Sequence, residues 1–237
     1  LKWNEDRQFG DLFSSSCTVY GVPDKIPVKE TALIKPAFSP YGYTKQVGER
    51  VLTDFFKTKP NSSLTLLRYF NPIGAHTSAL IGELPIGVPS NLVPYITQTG
   101  IGKRKKLTVF GKDYDTDDGT CIRDYIHVVD LANAHVASLK KGLNSKESIK
   151  TYNVGTGKGV SVLEVISAFE KVSNQKLNYE FGPRRDGDVP EIYSDNELIK
   201  TELVWEAKFS LEDCLEHSWK WEKNLVNFKY KSEKKQD

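Results

Sequence analysis

Apolar positions in the first third of the chain change from a strand-like to a helix-like spacing and back. Residues 11–15 form a short apolar run that predicts a strand ending in serines. Ser39-Pro40 places a capping hydroxyl before a proline, the favoured start of a helix. One-face helical spacing then links Val47, Val51, Leu52, Phe55 and Phe56. A second strand is predicted over Ser63–Phe70, so the order strand, helix, strand indicates one crossover unit of a parallel sheet.

The rest of the chain alternates short predicted helices and strands. The predicted elements are a helix from about Pro94 to Gly102, a strand at Leu107–Phe110, an extended segment at Cys121–Ile126, a helix at Leu131–Leu139, a strand at Thr151–Val154, and helices beginning at Ser161 and Ser210. Both of these serines are followed three residues later by an acidic residue, the pattern of a capped helix start. The charged segment KYKSEKKQD, residues 229–237, is predicted to be disordered.

Composition narrows the function classes. The 237 residues carry a net charge of +2 without a strongly basic region, so neither a nucleic acid nor a membrane surface is expected as a partner. Three cysteines without a C-x-x-C spacing favour a reducing, cytoplasmic location. No apolar run approaches the roughly 18 residues of a membrane span. The chain begins with Leu1 and contains no methionine, so we expect it to be a fragment.

A tyrosine and a lysine open the first predicted helix. Tyr41 and Lys45 are four residues apart and therefore share one helix face. An ammonium near a phenol stabilises the phenolate, which would give a base usable near neutral pH. A surface helix also produces such a pair by chance, and FSSSCTVYG, residues 13–21, could be a polar turn or a strand that delivers a hydroxyl to a reaction centre.

Six motifs, in order, carry a resemblance to a known family. FSSSCTVYG, SPYGYTK, LLRYFNPIGAH, DGTCIRDYIHVVDLANAH, YNVGTGKGVSVLEV and PRRDGDVP together resemble the UDP-galactose (UDP-glucose) 4-epimerases, which are extended short-chain dehydrogenase/reductases. The resemblance runs from Phe13 to about Trp221. It implies an α/β fold, with the C-terminal part of a Rossmann-type parallel sheet and a smaller α/β substrate-binding domain. The implied domains are 1–71, a remnant of the NAD-binding domain, 72–226, which binds the UDP-sugar, and the tail 227–237.

The resemblance also implies a reaction and its residues. Tyr41, assisted by Ser16, would take the proton of the sugar 4-hydroxyl while bound NAD accepts the hydride from C4. The 4-keto sugar would then turn over and be reduced on its other face, interconverting UDP-glucose and UDP-galactose in galactose metabolism. Lys45 would hold the nicotinamide ribose and stabilise the phenolate.

The remaining site residues follow from the same resemblance. Those expected at the cofactor are Ser16, Tyr41, Lys45, Tyr69, Phe70 and Pro72. Those expected at the substrate are Ser16, Cys17, Thr18, Tyr41, Tyr69, Phe70, Asn71, Ser90, Asn91, Leu92, Thr108, Val109, Phe110, Arg123, Arg185, Asp188 and Ile192. Among them the two arginines would bind the diphosphate, Asp188 the ribose, and Ile192 would stand at the back of the sugar pocket.

Two features depart from the family pattern. The glycine-rich turn that holds the NAD pyrophosphate is absent, and in YNVGTGKGVS the third glycine position is Val160. We therefore expect that about 100 residues are missing, that the chain alone is poorly stable, and that a homodimer forms only in the intact protein. No metal is expected, since His127, Asp130 and His135 read as packing and capping residues. The second departure is Ile192, which leaves open whether N-acetylated sugars fit the sugar pocket.

There are three alternatives to the epimerase function. A 4,6-dehydratase needs an Asp-Glu pair after the active-site threonine, whereas Thr18 is followed by Val19-Tyr20. An epimerase or decarboxylase of UDP-glucuronate stays open, because Arg185 and its neighbours could serve an acidic sugar. The third alternative is a truncated, non-catalytic fragment that binds UDP-sugars.

Overall fold

The computed structural model describes residues 10–59, 62–142 and 149–233. The strands are β1 (Gly10–Ser16), β2 (Ser63–Tyr69), β3 (Asn71–Ile73), β4 (Leu107–Phe110), β5 (Ile122–Arg123), β6 (Tyr125–His127), β7 (Ile149–Val154), β8 (Val160–Ser161), β9 (Tyr179–Gly182) and β10 (Glu191–Ile192). The helices are α1 (Pro40–Lys57), α2 (Leu92–Gly100), α3 (Val128–Gly142), α4 (Val162–Ser173), α5 (Glu197–Leu203) and α6 (Leu211–Glu233). None of the helices in these ranges is long and apolar enough to cross a membrane.

The chain divides into two compact units that differ from the predicted domains. The first unit comprises Leu1–Asn71, Asp130–Lys158 and Ile192–Ala207, and the second comprises Pro72–Val129, Gly159–Glu191 and Lys208–Asp237. Residues 72–226 do not form one continuous unit: β7 returns to pair with β2 of the first unit, and Ser194 forms a β-bridge with Val28 of the same unit.

The sheet of the first unit has the strand order β1, β2, β7, and all its strands are parallel. This arrangement confirms the predicted crossover unit. Ser16 lies opposite Tyr69, which lies opposite Val154, so the carboxyl ends of the three strands are in register. Because side chains alternate between faces, Ser15 and its registered neighbour Arg68 lie on one face, and Ser14, Ser16 and Tyr69 lie on the other.

Helix α1 begins where the sequence predicted. Ser39 accepts a hydrogen bond from the Gly42 amide at 3.0 Å, and Pro40 supplies the first helical residue. Phe56 of α1 packs with Leu64 and Leu66 of β2 in a small buried cluster. This packing fixes α1 against the same sheet face that carries Ser15.

The close approach of α1 to β1 depends on one glycine. A Cβ at Gly48 would lie 2.5 Å from the ring carbon Cζ of Phe13, closer than real contacts allow. Glycine therefore lets the helix lie against the strand, which places Lys45 and Glu49 beside the strand end.

The second unit has its own core. Ile96 of α2, Val165 and Phe169 of α4, and Leu215 of α6 are fully buried there beside Val109 of β4. Strand β9, which the sequence did not predict because most of its residues are exposed, pairs in parallel with β4. The core therefore combines three helices with strand β4.

The predicted helix ends in the second unit were right in part. Ser161 and Glu164 form the predicted capping box at the start of α4. Helix α2 begins at Leu92, two residues before the predicted start, since a proline in the first turn needs no helical donor. The expectation of disorder is wrong for residues 229–233, which continue α6, and residues 234–237 lie outside the described residues.

Candidate active site

Lys45 lies between the end of β1 and the ring of Tyr41. Its Nζ donates to the carbonyl oxygen of Ser14 at 2.7 Å and lies 5.5 Å from the centre of the Tyr41 ring. The ring of Phe13 lies 5.3 Å from the same ammonium on the strand side. The Tyr41 side chain is 56% exposed, so the ring that faces the ammonium is open to a ligand. The pair therefore has the proximity that its four-residue spacing predicted.

The three serines of β1 have three different environments. Ser16 is buried, and its Oγ accepts from the Thr18 amide at 3.3 Å, capping the 3-10 turn Cys17–Tyr20. The side chains of Ser14 and Ser15 also have partners. Ser14 Oγ lies 2.7 Å from the Tyr69 hydroxyl, and Ser15 Oγ donates to Glu49 at 2.5 Å.

The turn after β1 presents one hydroxyl without a partner. Thr18 Oγ1 is buried and, among the described residues, has no hydrogen-bond partner. A buried polar atom of this kind costs free energy unless something binds it. Cys17, Val19 and Tyr20 on the same turn have buried side chains. Of the residues in this turn, Thr18 is thus the one with an unused polar group.

A buried ion pair, which the sequence reading missed, lies under this strand end. Arg68 of β2 donates to Glu49 of α1 through Nε at 2.9 Å and through Nη2 at 2.6 Å. Its side chain is 7% exposed, and that of Glu49 is 10% exposed. Burial alone would lower the pKa of Arg68, but the hydrogen bonds from the guanidinium to Glu49 raise it above its usual value. The available signal was the four-residue spacing that places Tyr41, Lys45 and Glu49 on one helix face.

The same polar network reaches the third strand. The Tyr20 hydroxyl donates to Asn153 Oδ1 at 2.6 Å, and the Arg68 guanidinium lies 4.8 Å from the Tyr20 ring centre. Burial, only partly offset by Arg68, raises the pKa of Tyr20 to about 12. Tyr20 is therefore a neutral structural donor at physiological pH.

Tyr69 and Phe70, both predicted at the cofactor and substrate, differ in accessibility. Tyr69 is half-buried, and its hydroxyl contacts both Ser14 and His135. Phe70 is 4% exposed, so its ring belongs to the core. Ile192, predicted at the sugar, is likewise buried at 5% exposure, and Asn71 is half-buried.

The second unit brings together the residues predicted at the diphosphate and the ribose. Arg123 Nη2 lies 3.6 Å from the carboxylate of Asp188, and its Nη1 donates to the Ile122 carbonyl at 2.9 Å. The guanidinium of Arg185, which is exposed, lies 4.6 Å from the centre of the Phe110 ring. The amide of Asp188 donates to the carbonyl of Arg185, so one turn carries both groups.

The other predicted residues of the second unit divide into exposed and buried side chains. Asn91 is exposed at the start of α2 and donates to Glu83 at 2.8 Å. Pro72 and Ser90 are also exposed, whereas Leu92 and Thr108 are half-buried. Val109 is 1% exposed within the core, so only its backbone could reach a ligand. That burial is the alternation expected of a strand with one face on a core.

These features, a parallel sheet whose strand end carries serines beside a tyrosine and a lysine, match a known class. The model of the NAD dependent epimerase/dehydratase family matches residues 5–155. The chain belongs to this family.

Individual members of the family are similar to most of this chain. The UDP-glucose 4-epimerase of Bacillus subtilis is 51% identical over 216 residues, which are 91% of this chain and 63% of the relative. The enzyme of that name from Pasteurella multocida is 50% identical over 212 residues, covering 90% of this chain and 62% of the relative. This chain therefore spans less than two thirds of the length of these relatives.

Solved structures agree with these likenesses. The UDP-glucose-4-epimerase of Stenotrophomonas maltophila, solved with bound NAD and formylated UDP-arabinopyranose, is 48% identical with a TM-score of 0.89. The match covers 93% of this chain and 65% of that one. The enzyme of Bifidobacterium longum, in complex with NAD+ and UDP, is 44% identical with a TM-score of 0.88, covering 92% and 64%.

Proposed function

We propose that this chain carries the catalytic residues of an NAD-dependent UDP-hexose 4-epimerase that interconverts UDP-glucose and UDP-galactose. The observation that carries the proposal is the Lys45 ammonium held between the Ser14 carbonyl and the ring of Tyr41. The relatives named above, at about half identity, carry the name of this activity.

Tyr41 is the proposed base. Its exposed ring lies beside the Lys45 ammonium, and its phenol oxygen takes the proton of a sugar hydroxyl and returns it in this proposal. Ser16 is held in one orientation by its hydrogen bond to the Thr18 amide and keeps its own proton to donate to the sugar. The unpartnered hydroxyl of Thr18 supplies a further polar contact for the sugar.

Residues of the first unit fit the nicotinamide end of NAD. The Lys45 ammonium has three donors and gives one to Ser14, which leaves donors for ribose hydroxyls. Tyr69, half-buried on the adjacent strand, supplies an aromatic side chain at the same strand end. When bound, NAD supplies the hydride acceptor and donor that no protein side chain can replace.

Residues of the second unit suit the nucleotide part of the substrate. The exposed guanidinium of Arg185 can bind phosphate oxygens in pairs, as arginine does well. Arg123 is the second phosphate ligand in this proposal, with Asp188 orienting it and accepting from ribose hydroxyls. Ile192, a buried residue of the first unit, stands at the back of the sugar pocket in this proposal.

A homodimer through α1 is part of the proposal. Tyr43, Val47, Val51 and Phe55 recur every four residues along one face of α1, and each is more than 40% exposed. An exposed apolar stripe of this length on a helix is typical of a helix that packs against another copy. A cytosolic location stays a prediction from the cysteine count.

The test is an activity assay with the complete polypeptide that contains this sequence, supplied with NAD. UDP-galactose, UDP-N-acetylgalactosamine and UDP-glucuronate are each incubated with it, and products are separated by chromatography. We expect UDP-glucose from UDP-galactose. Conversion of UDP-glucuronate alone would assign the alternative acidic-sugar activity, and binding of UDP-sugars without any conversion would assign a non-catalytic role.

A further inference from the structure

Three side chains of the first unit form a continuous chain next to the proposed base. The Tyr69 hydroxyl oxygen lies 2.5 Å from His135 Nε2 and 2.7 Å from Ser14 Oγ. The Tyr69 and His135 rings are tilted by 51°, with their centres 5.4 Å apart. Ser14 is the residue whose carbonyl holds Lys45. The contacts therefore connect α3, β2 and β1 and end at the anchor of the catalytic lysine.

A backbone carbonyl sets the direction of the hydrogen bonds that link Ser14, Tyr69 and His135. His135 Nδ1 lies 2.8 Å from the carbonyl oxygen of Leu131, one turn earlier in α3. A carbonyl only accepts, so Nδ1 carries the proton, and in the neutral ring Nε2 is the acceptor.

The Tyr69 hydroxyl has a single proton, which it therefore donates to His135. Its oxygen in turn accepts from Ser14. Burial, with a hydrogen bond to Ser14 acting against it, raises the pKa of Tyr69, which keeps this phenol a donor.

We propose that His135 is a positioning residue for the reaction, which fixes the Tyr69 phenol and, through Ser14, the strand end that anchors Lys45. This inference rests on the proposed function and adds a residue that the sequence reading assigned to packing. His135 does not touch the reacting atoms in this proposal. Its hydrogen bond restrains the rotation of the Tyr69 side chain, and His135 acts through that restraint.

The size of the effect follows from the contacts. The side chains of His135 and Tyr69 are both half-buried, and loss of one hydrogen bond of this kind is worth a factor of about 2 to 10 in rate. A lost positioning contact lowers kcat and leaves the KM for the UDP-sugar nearly unchanged, because substrate binding groups are untouched. A glutamine at this position can place an amide oxygen where Nε2 lies and accept from Tyr69.

The experiment is a double-mutant cycle in the complete polypeptide with NAD, assayed with UDP-galactose. The variants are His135→Phe, Tyr69→Phe and the pair, with His135→Gln as the rescue variant. Asn133→Ala, an exposed polar residue on the same helix, is the matched control. Thermal unfolding midpoints are recorded for every variant, so that lost folding is separated from lost turnover.

Each outcome either supports or overturns the proposed role of His135. We expect His135→Phe to lower kcat about 5-fold, His135→Gln and the control to stay within 2-fold, and the double variant to be no slower than Tyr69→Phe. Multiplicative losses in the double variant, or glutamine as slow as phenylalanine, would overturn the proposal. If His135→Phe does not fold, the proposal requires a lowered kcat in Tyr69→Phe and an unchanged kcat in His135→Gln. An unchanged kcat in Tyr69→Phe together with a lowered kcat in His135→Gln would overturn it. A parent enzyme inactive on every UDP-hexose would instead refute the proposed function.

Discussion

Removal of the Glu49 carboxylate should destabilise the protein more than any other single change near the site. In Glu49→Ala the guanidinium of Arg68 loses both of its charged contacts, at 2.9 and 2.6 Å, and Ser15 Oγ loses its acceptor. Arg68 also donates to the Glu30 carbonyl at 3.3 Å, lies against the Tyr20 ring and interacts with the Glu30 carboxylate. None of these replaces the two charged hydrogen bonds of a guanidinium whose side chain is 7% exposed.

Breaking a buried pair on one side costs about 3–5 kcal/mol, a fifth or more of the roughly 5–15 kcal/mol that stabilises a typical protein. Equilibrium urea unfolding, followed by circular dichroism, measures this loss. Asp54→Asn is the control, because it breaks an exposed ion pair with Arg50 on the same helix and should leave the midpoint unchanged.

A double variant tests whether the unpaired charge of Arg68 causes the loss of stability. Glu49→Met combined with Arg68→Met removes both charges and fills the space with apolar atoms, so it should recover most of the lost stability. A loss below about 1 kcal/mol in Glu49→Ala, or a double variant less stable than the single one, would refute the idea that an unpaired buried charge dominates.

Three further changes test other parts of the structure. Gly48→Ala should push α1 away from Phe13 and lower turnover, with only a small decrease in the melting temperature. Normal turnover would contradict the close approach. Although burial alone would raise it, hydrogen bonds from Ser161 and Thr120 hold the pKa of Asp118 below its ordinary value, so its contribution to stability is present above the unfolded pKa of about 4 and lost as the pH falls. Asp118→Asn should therefore flatten the acid limb of the stability profile, and an unchanged slope would contradict this. Val51→Glu should convert a dimer to monomers in light scattering, and an unaltered mass would exclude α1 as the interface.

The sequence predicted best what depends on neighbouring residues. Helix α1 was predicted from Ser39-Pro40, because a cap and a following proline act within one turn. The capping box of Ser161 and Glu164 is of the same kind. The strand Leu107–Phe110 was predicted with its observed bounds, since short alternating patterns report local burial.

Features that depend on distant residues were missed. The return of β7 to the first sheet joins residues about 85 positions apart, and no local pattern predicts that pairing. Strand β9 escaped because its residues are mostly exposed and show no alternation. Glu49 and Arg68 carried no motif of their own, although Glu49 continues the spacing of Tyr41 and Lys45 by one more turn. His135 was read as packing because its partner Tyr69 is 66 residues away.

The most direct test of the central claim is the turnover of UDP-galactose by Tyr41→Phe, measured beside the unaltered complete polypeptide with NAD. Removal of the phenol oxygen takes away the proposed acid-base group while leaving the ring beside Lys45. The account predicts a loss of at least 10²-fold in kcat, with NAD and UDP-sugar still bound. Turnover within a few-fold of the unaltered protein would show that Tyr41 is not the base.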